Sequence, residues 1–164
     1  MLFEKPSLRT RVSFETGMHQ LGGHAIFYSV ADSPLGQKET ISDTARVLSR
    51  YNDAIMARVK SREQVSELAK FSSIPVINGL DDYAHPCQIL TDLLTIRERF
   101  GKLAGLRMAY FGDCRNNMTY DLMRAACIVG MHITVVGPRC ANVIEGSETD
   151  PVPAHKSLLL RKAC

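Results

Sequence analysis

What most constrains this chain is an alternation. Short apolar runs, closed by glycine, proline or a polar residue, are separated by segments whose apolar residues recur at helical intervals. The helical segments are Thr10 to Leu21, Glu39 to Arg50, Arg62 to Phe71, Pro86 to Phe100 and Asn116 to Val129. Between them, Ala25–Val30, Ala54–Val59, Ile74–Leu80, Leu106–Phe111 and Ile133–Val136 read as strands. Gly22-Gly23 and Gly130 supply helix stops, and Ser33 to Lys38 reads as a polar loop. Strands alternating with helices of this length imply right-handed βαβ units. The expected class is α/β, a doubly wound, mainly parallel sheet with helices on both faces. In such sheets ligands bind beyond the carboxyl ends of the strands. Arg58 ends one predicted strand, His85 follows another, and Asp113 to Asn117 follows a third. The topology therefore predicts that these groups converge on one crevice.

Composition bounds the partners. With 164 residues, 45% hydrophobic and 23% charged, the chain can bury a core and is not a disordered segment. Its 20 basic and 17 acidic residues leave a net charge of +3, with no basic block, so no nucleic-acid partner is expected. No apolar run approaches a membrane span, and none is expected. The five cysteines are widely spaced, without C-x-x-C or a zinc-type Cys/His cluster. Free thiols in a reducing compartment, the cytoplasm, are the simplest reading. A lost transit peptide would place the protein in the mitochondrial matrix instead.

The chemistry concentrates first at Phe3-Glu4-Lys5-Pro6-Ser7-Leu8-Arg9-Thr10-Arg11. Unpaired N–H groups and the positive end of the dipole make a helix start a weak anion site. Arg9 and Arg11 would add forked donors that fit phosphate oxygens, and Ser7 and Thr10 can cap the helix or donate to the same oxygens. Taken alone, the stretch is better read as a capped surface helix with two solvated arginines; it gains weight only if other parts of the chain supply the rest of a phosphate site. His85-Pro86-Cys87-Gln88 places an imidazole just before a helix that starts on proline. There it could donate to a carbonyl oxygen, with Gln88 orienting an amide. Gly112-Asp113-Cys114-Arg115-Asn116-Asn117 follows a strand and opens a helix, but is not a G-x-G-x-x-G turn. No G-x-x-x-x-G-K-[ST] occurs either, so dinucleotide and Walker-type sites are disfavoured. Cys87 reads as a small packing residue, and His19, His24, His132 and His155 as structural or solvated.

Together these motifs resemble the aspartate/ornithine carbamoyltransferase family over Leu2 to Pro138. The Ser7–Arg11 stretch is similar to the carbamoyl-phosphate loop, Ser-Thr-Arg-Thr-Arg in most members. Gly36-Gln37-Lys38-Glu39-Thr40 resembles the loop that reaches a neighbouring subunit's site. Asp43 to Tyr51 with Ala54 to Arg58 is similar to the unit carrying a substrate arginine, and His85 to Gln88 to the HPxQ motif. Phe3-Glu4-Lys5, Asn78-Gly79-Leu80 and Gly112 to Met118 are closer to ornithine than to aspartate enzymes.

The resemblance implies that Ser7, Leu8 through its backbone, Arg9 and Thr10 hold the phosphate of carbamoyl phosphate. It implies that Arg58 contacts phosphate and the carbamoyl oxygen, that His85 and Gln88 fix and polarise the carbamoyl group, and that Asn117 touches ornithine. The reaction implied is carbamoyl transfer to the δ-amine of ornithine, giving citrulline and phosphate, with no cofactor and no metal, in a homotrimer. Residues 1–100 would form the carbamoyl-phosphate-binding domain and 101–140 the start of an ornithine-binding domain, with 141–164 an irregular, flexible tail. Leu8 stands where most members have threonine, and Pro34 where ornithine enzymes often have glutamine. Met1-Leu2-Phe3 enters a strand with no preceding helix. No Ser-Met-Gly loop or His-Cys-Leu-Pro motif follows Pro138. The expectation from these departures is a chain truncated at both ends that forms no citrulline by itself. The alternatives are a fragment of an aspartate or polyamine carbamoyltransferase, or a non-catalytic remnant that binds anions or another subunit.

Overall fold

A computed structural model describes residues 1–29 and 35–137, and the backbone of 158–160. The chain divides into two compact units, Met1–His85 and Pro86–Cys164. The first contains β1 (Leu2–Phe3), α1 (Leu8–Gln20), β2 (Tyr28–Ser29), α2 (Ile41–Tyr51), β3 (Ile55–Arg58), α3 (Arg62–Phe71) and β4 (Val76–Leu80). Its strands form one sheet in the order β2-β1-β3-β4, every pairing parallel. From β1 the chain steps one way to β2, then crosses back over β1 to reach β3 and β4. Right-handed crossovers therefore put α1 on one face and α2 with α3 on the other. The sheet is doubly wound, and its strand order reverses between β1 and β3.

The core of this unit lies under α2 and α3. Leu2, Ala45, Ile55, Ala57, Val59 and Leu68 are buried together, with Ile41, Leu48, Val65, Phe71 and Val76 packed around them. Ile55, Met56 and Ala57 are buried in succession, as a central parallel strand covered on both faces requires. Each helix start is capped by a residue that the sequence places there. Ser7, Thr40 and Ser61 accept the N–H three residues on, and Ser61 with Gln64 completes a capping box. Ser49 joins α2 to the turn before β4, donating to Ala45 O at 2.7 Å and accepting from Ser73 N at 3.1 Å.

Several expected bounds shift. The strand expected over Ala25–Val30 narrows to Tyr28–Ser29, Val30 lying outside the described residues. The second helix starts at Ile41 rather than Glu39, because Thr40 is its cap. The first helix starts at Leu8, so Arg9 and Thr10 already lie in its first turn. No residue of α1 is fully buried, and Val12 at 51% and Met18 at 39% exposure do not form the enclosed face that their spacing suggests.

The second unit contains α4 (Pro86–Phe100), β5 (Arg107–Phe111), α5 (Asn117–Val129), β6 (His132–Val136) and β7 (Leu158–Leu160), with a parallel sheet in the order β5-β6-β7. Cys114, Met123, Ala126, Met131, Ile133 and Val135 form its core, with Leu93 and Ile96 of α4 against them. Asn116 caps α5, and Gly130, at φ 72°, closes it in the left-handed conformation that glycine adopts without steric cost. Within the segment expected to be irregular from Ala141, Leu158–Leu160 pairs with β6; the rest of that segment lies outside the described residues. No described helix is long and apolar enough to cross a membrane.

Leu68 is fully enclosed between α3 and the sheet. Leu68→Ala should destabilise the first unit by about 2–5 kcal/mol, read as a lowered denaturant midpoint at unchanged slope.

Candidate functional site

Where the strand order reverses, parallel pairing places two carboxyl ends side by side, those of β1 and β3. Phe3 pairs with Arg58, and the pairing continues one step further as Glu4 N–H donates to Arg58 O at 2.9 Å. The chain leaving β1 becomes the Lys5–Ser7 loop and the start of α1; the chain leaving β3 presents Arg58. A register shift in the β3–β4 ladder, where Ala57 pairs with Asn78 and Arg58 with Leu80, skips Gly79. A Cβ at Gly79 would lie 2.5 Å from Met56 Sδ, so only glycine fits the bulge that turns the end of β3.

At the start of α1, Ser7 has extended backbone (φ −158°, ψ 109°) and its Oγ accepts from Thr10 N at 3.4 Å. Ser7 Oγ also donates to Thr10 Oγ1 at 3.0 Å, and Arg58 Nη1 donates to the same oxygen at 3.3 Å. Ser7, Thr10 and Arg58, 48 or more residues apart in part, thus form one chain of donors at a helix N-terminus. The Arg58 guanidinium is held below its ordinary range, first by burial and then by the like charge of Arg9. It remains cationic at any working pH. Arg58 Nε is buried and has no hydrogen-bond partner among the described residues. Two cations in one field, a buried donor without an acceptor and free helix N–H groups are what an oxyanion would complement.

Arg11 does not join them. Its Nε is 3.0 Å from Glu15 Oε1, one turn along α1, and its guanidinium lies 3.8 Å over the Phe27 ring. The expectation of two forked donors at this loop is therefore corrected: Arg11 braces α1 against the β2 approach, whereas Arg9 is exposed and close enough to Arg58 for the two like charges to interact. Leu8 is 79% exposed, leaving its backbone as what it can offer a ligand.

The sequence reading missed Glu4. Its Oε2 accepts from Lys60 N at 2.8 Å and its Oε1 from Gln64 Nε2 at 3.0 Å. It also missed Asp81, 2% exposed, whose carboxylate accepts from Tyr83 N, Ala84 N and Asn78 Nδ2 at 2.8, 2.6 and 2.9 Å. This knotted turn follows β4 and delivers the half-buried His85. Asp81-Asp82-Tyr83 has a turn-like look in sequence, whereas nothing local marks Glu4.

Gln88 and Asn117 belong to the second unit. Gln88 is exposed on the first turn of α4 and donates to Asp92 Oδ1 at 2.9 Å. Asn117 is the first residue of α5, half-buried behind the Asn116 cap. Lys38 is exposed in the first unit, and Pro34 lies outside the described residues. The structure thus brings together Ser7, Thr10 and Arg58, with Arg9 as their electrostatic neighbour. Among the described residues no group of three or more His, Cys, Asp or Glu is placed to hold a metal ion.

The family model described as "Aspartate/ornithine carbamoyltransferase, carbamoyl-P binding domain" matches residues 1–98. The chain is 62% identical over 139 residues to an ornithine carbamoyltransferase of Anoxybacillus flavithermus, covering 85% of this chain and 44% of that one. It is 54% identical over 145 residues to one of Bacillus subtilis, covering 88% and 45%. Among solved structures it is similar to the ornithine carbamoyltransferase of Pyrococcus furiosus, with a TM-score of 0.80 at 52% identity over 84% of this chain and 44% of that one. A mitochondrial ornithine carbamoyltransferase of Coccidioides immitis gives a TM-score of 0.79 at 36% identity, over 99% and 54%. The chain spans less than half the length of these two curated relatives.

Cys87, between His85 and Gln88, is half-buried, and burial pushes its thiol up, a backbone hydrogen bond opposing the shift. A raised pKa leaves less thiolate at any given pH. Carboxymethylation of Cys87 at about pH 8 should run at least about threefold slower than that of glutathione, the gap closing as pH rises. Peptide mass spectrometry separates Cys87 from the other cysteines.

Proposed function

Because this chain belongs to the aspartate/ornithine carbamoyltransferase family, we propose that its first unit binds carbamoyl phosphate as the donor in carbamoyl transfer to the δ-amine of ornithine, giving citrulline and phosphate. The observation that carries the reading is the Ser7–Thr10–Arg58 chain of donors at the N-terminus of α1, with the Arg58 Nε buried and unpaired. These residues fall within the segment matched by the carbamoyl-phosphate-binding model. In this reading the phosphate oxygens take the first-turn N–H groups of α1, the Ser7 and Thr10 hydroxyls and the Arg9 guanidinium. Arg58 bridges a phosphate oxygen and the carbamoyl oxygen. The burial and, after it, the like charge of Arg9 that hold Arg58 down are both offset when the dianion enters.

His85 and Gln88 would polarise and orient the carbamoyl group, and Asn117 would touch the amino acid. The neutral δ-amine attacks the carbamoyl carbon, the carbonyl electrons move onto oxygen, and the amine's proton passes to an oxygen of the departing phosphate. Collapse breaks the bond to the phosphate oxygen, and phosphate leaves with the electron pair. Orientation of the two substrates and donors aimed at the oxyanion and the departing phosphate supply the catalysis. Ornithine is preferred over aspartate or a polyamine as acceptor because of the names carried by the similar proteins. A homotrimer in which the exposed Lys38 loop reaches a neighbouring site, and a cytoplasmic location, belong to the same proposal.

Titration calorimetry with carbamoyl phosphate tests the donor half. Arg58→Ala and Arg9→Ala should each weaken binding by at least about tenfold, the loss of one charge-assisted hydrogen bond. His19→Ala, an exposed change in the last turn of the same helix, should leave it unaltered. Equal affinity in wild type and Arg58→Ala would sink the assignment.

A further inference from the structure

Glu4 lies one residue beyond β1 and three before the Ser7 cap, and every polar group it has on the page is committed to the far side of the site. Its N–H donates to Arg58 O at 2.9 Å. Its carboxylate takes Lys60 N at 2.8 Å and Gln64 Nε2 at 3.0 Å, residues 56 and 60 positions away. Gln64 is itself fixed, because its Oε1 accepts from Ser61 N at 3.0 Å and Lys60 N at 3.2 Å in the α3 capping box. The loop carrying Ser7 and Thr10 is therefore tied to Arg58 and to the segment just after it. One tie is to the Arg58 carbonyl, one to Lys60 N in the following turn, and one to Gln64 in the first turn of α3.

We propose that Glu4 is a positioning residue for the anion site, a latch that sets the distance between the α1 cap and the Arg58 guanidinium. The Arg58–Thr10 hydrogen bond, at 3.3 Å, is longer than the 3.0 Å bond between the Ser7 and Thr10 hydroxyls and joins side chains of two separate elements, so it weakens when the loop drifts. Glu4 acts through geometry alone, contributing no contact to the ligand. It does so against its own charge, since a carboxylate near an anion site weakens anion binding through space. The inference rests on the carbamoyl-phosphate reading and goes beyond it by naming what holds that site in register.

The sign of the effect makes the test decisive. Simple removal of a negative charge predicts tighter phosphate binding, whereas loss of the latch predicts weaker binding. In Glu4→Gln one amide oxygen can still accept from Lys60 N, but the amide nitrogen would face Gln64 Nε2, donor against donor. Turning Gln64 over would abandon its bonds to Ser61 and Lys60. The exchanged pair Glu4→Gln/Gln64→Glu restores every bond: Gln at position 4 donates to Glu at position 64, which still accepts from Ser61 N and Lys60 N.

The measurement is calorimetric titration of inorganic phosphate and carbamoyl phosphate into wild type, Glu4→Gln and the exchanged pair. Each protein is checked by circular dichroism and thermal melting. Glu4→Gln should weaken both ligands by roughly tenfold, and the exchanged pair should recover to within about twofold of wild type. Ser49→Ala, which loosens α2 from the turn before β4, should lower the melting temperature and leave affinity unchanged. Unchanged or tighter binding in Glu4→Gln, no recovery in the exchanged pair, or an equal loss in Ser49→Ala would each overturn the latch alone. Failure of wild type to bind either ligand would instead remove the carbamoyl-phosphate reading, and the latch with it. Should Glu4→Gln not fold, Gln64→Met carries the same test, with a loss of about threefold expected and no loss overturning the proposal.

Discussion

The reversal of strand order between the parallel neighbours β1 and β3 is the constraint on which the first unit depends. β1 is only Leu2–Phe3, yet it pairs with β2 on one side and β3 on the other. Because α1 leaves β1 toward one face and α3 leaves β3 toward the other, the loops after β1 and β3 separate from the sheet in different directions. The gap left at their carboxyl ends is where an open α/β sheet accepts a ligand. Ser7 and Arg58 face that gap because of topology, not because of any local preference of the residues. The parallel pairing Phe3↔Arg58, extended by Glu4 N–H to Arg58 O, converts the topology into a fixed separation.

Electrostatics then decides which cations serve the gap. Arg9 and Arg11 are two apart on α1, so they project from different sides of the helix. Arg11 finds Glu15 one turn on and the Phe27 ring beneath it, and the Phe3–Phe27 ring pair at 5.1 Å continues that brace into the sheet. Its charge is matched locally. The Arg58 charge is not: burial and Arg9 both disfavour it, and its Nε is left without an acceptor. An arrangement that is unfavourable in isolation and relieved by an incoming anion is a site set up in advance of its ligand.

How much of this was legible depends on the range of the interaction. The βα alternation, the helix caps at Ser7, Thr40 and Ser61, and Arg58 at a strand end are local patterns and could be read. Arg9 and Arg11 could not be told apart from composition, although Glu15 four residues after Arg11 was a readable hint. The bulge at Gly79 follows from the partner strand, through Met56, and has no signature of its own. Glu4 bonds across 56 and 60 residues, and a surface glutamate before a lysine and a proline carries no such message. The apolar spacing of α1 promised an enclosed face that this unit does not provide, because periodicity reports what a helix can bury and not what covers it. The strand at Leu158–Leu160 was missed since a three-residue apolar run is too short for its period to be read.

Leu8 is where the family pattern and the physics of the site can be weighed against each other. The resemblance puts a threonine here, so one hydroxyl is missing from the loop. The side chain that replaces it is 79% exposed and packs against little of the unit. The Leu8 N–H belongs to the first turn of α1, where no intrahelical partner exists, and it does not depend on the side chain. Helix N-termini bind anions chiefly through such N–H groups and the dipole behind them, with side-chain hydroxyls adding individual hydrogen bonds. The Ser7 and Thr10 hydroxyls, and the Arg58 that Thr10 engages, are retained. In the proposed reading the exchange therefore removes one neutral donor and leaves the charge-assisted donors in place, which would weaken the hold on an oxyanion without changing the class of ligand.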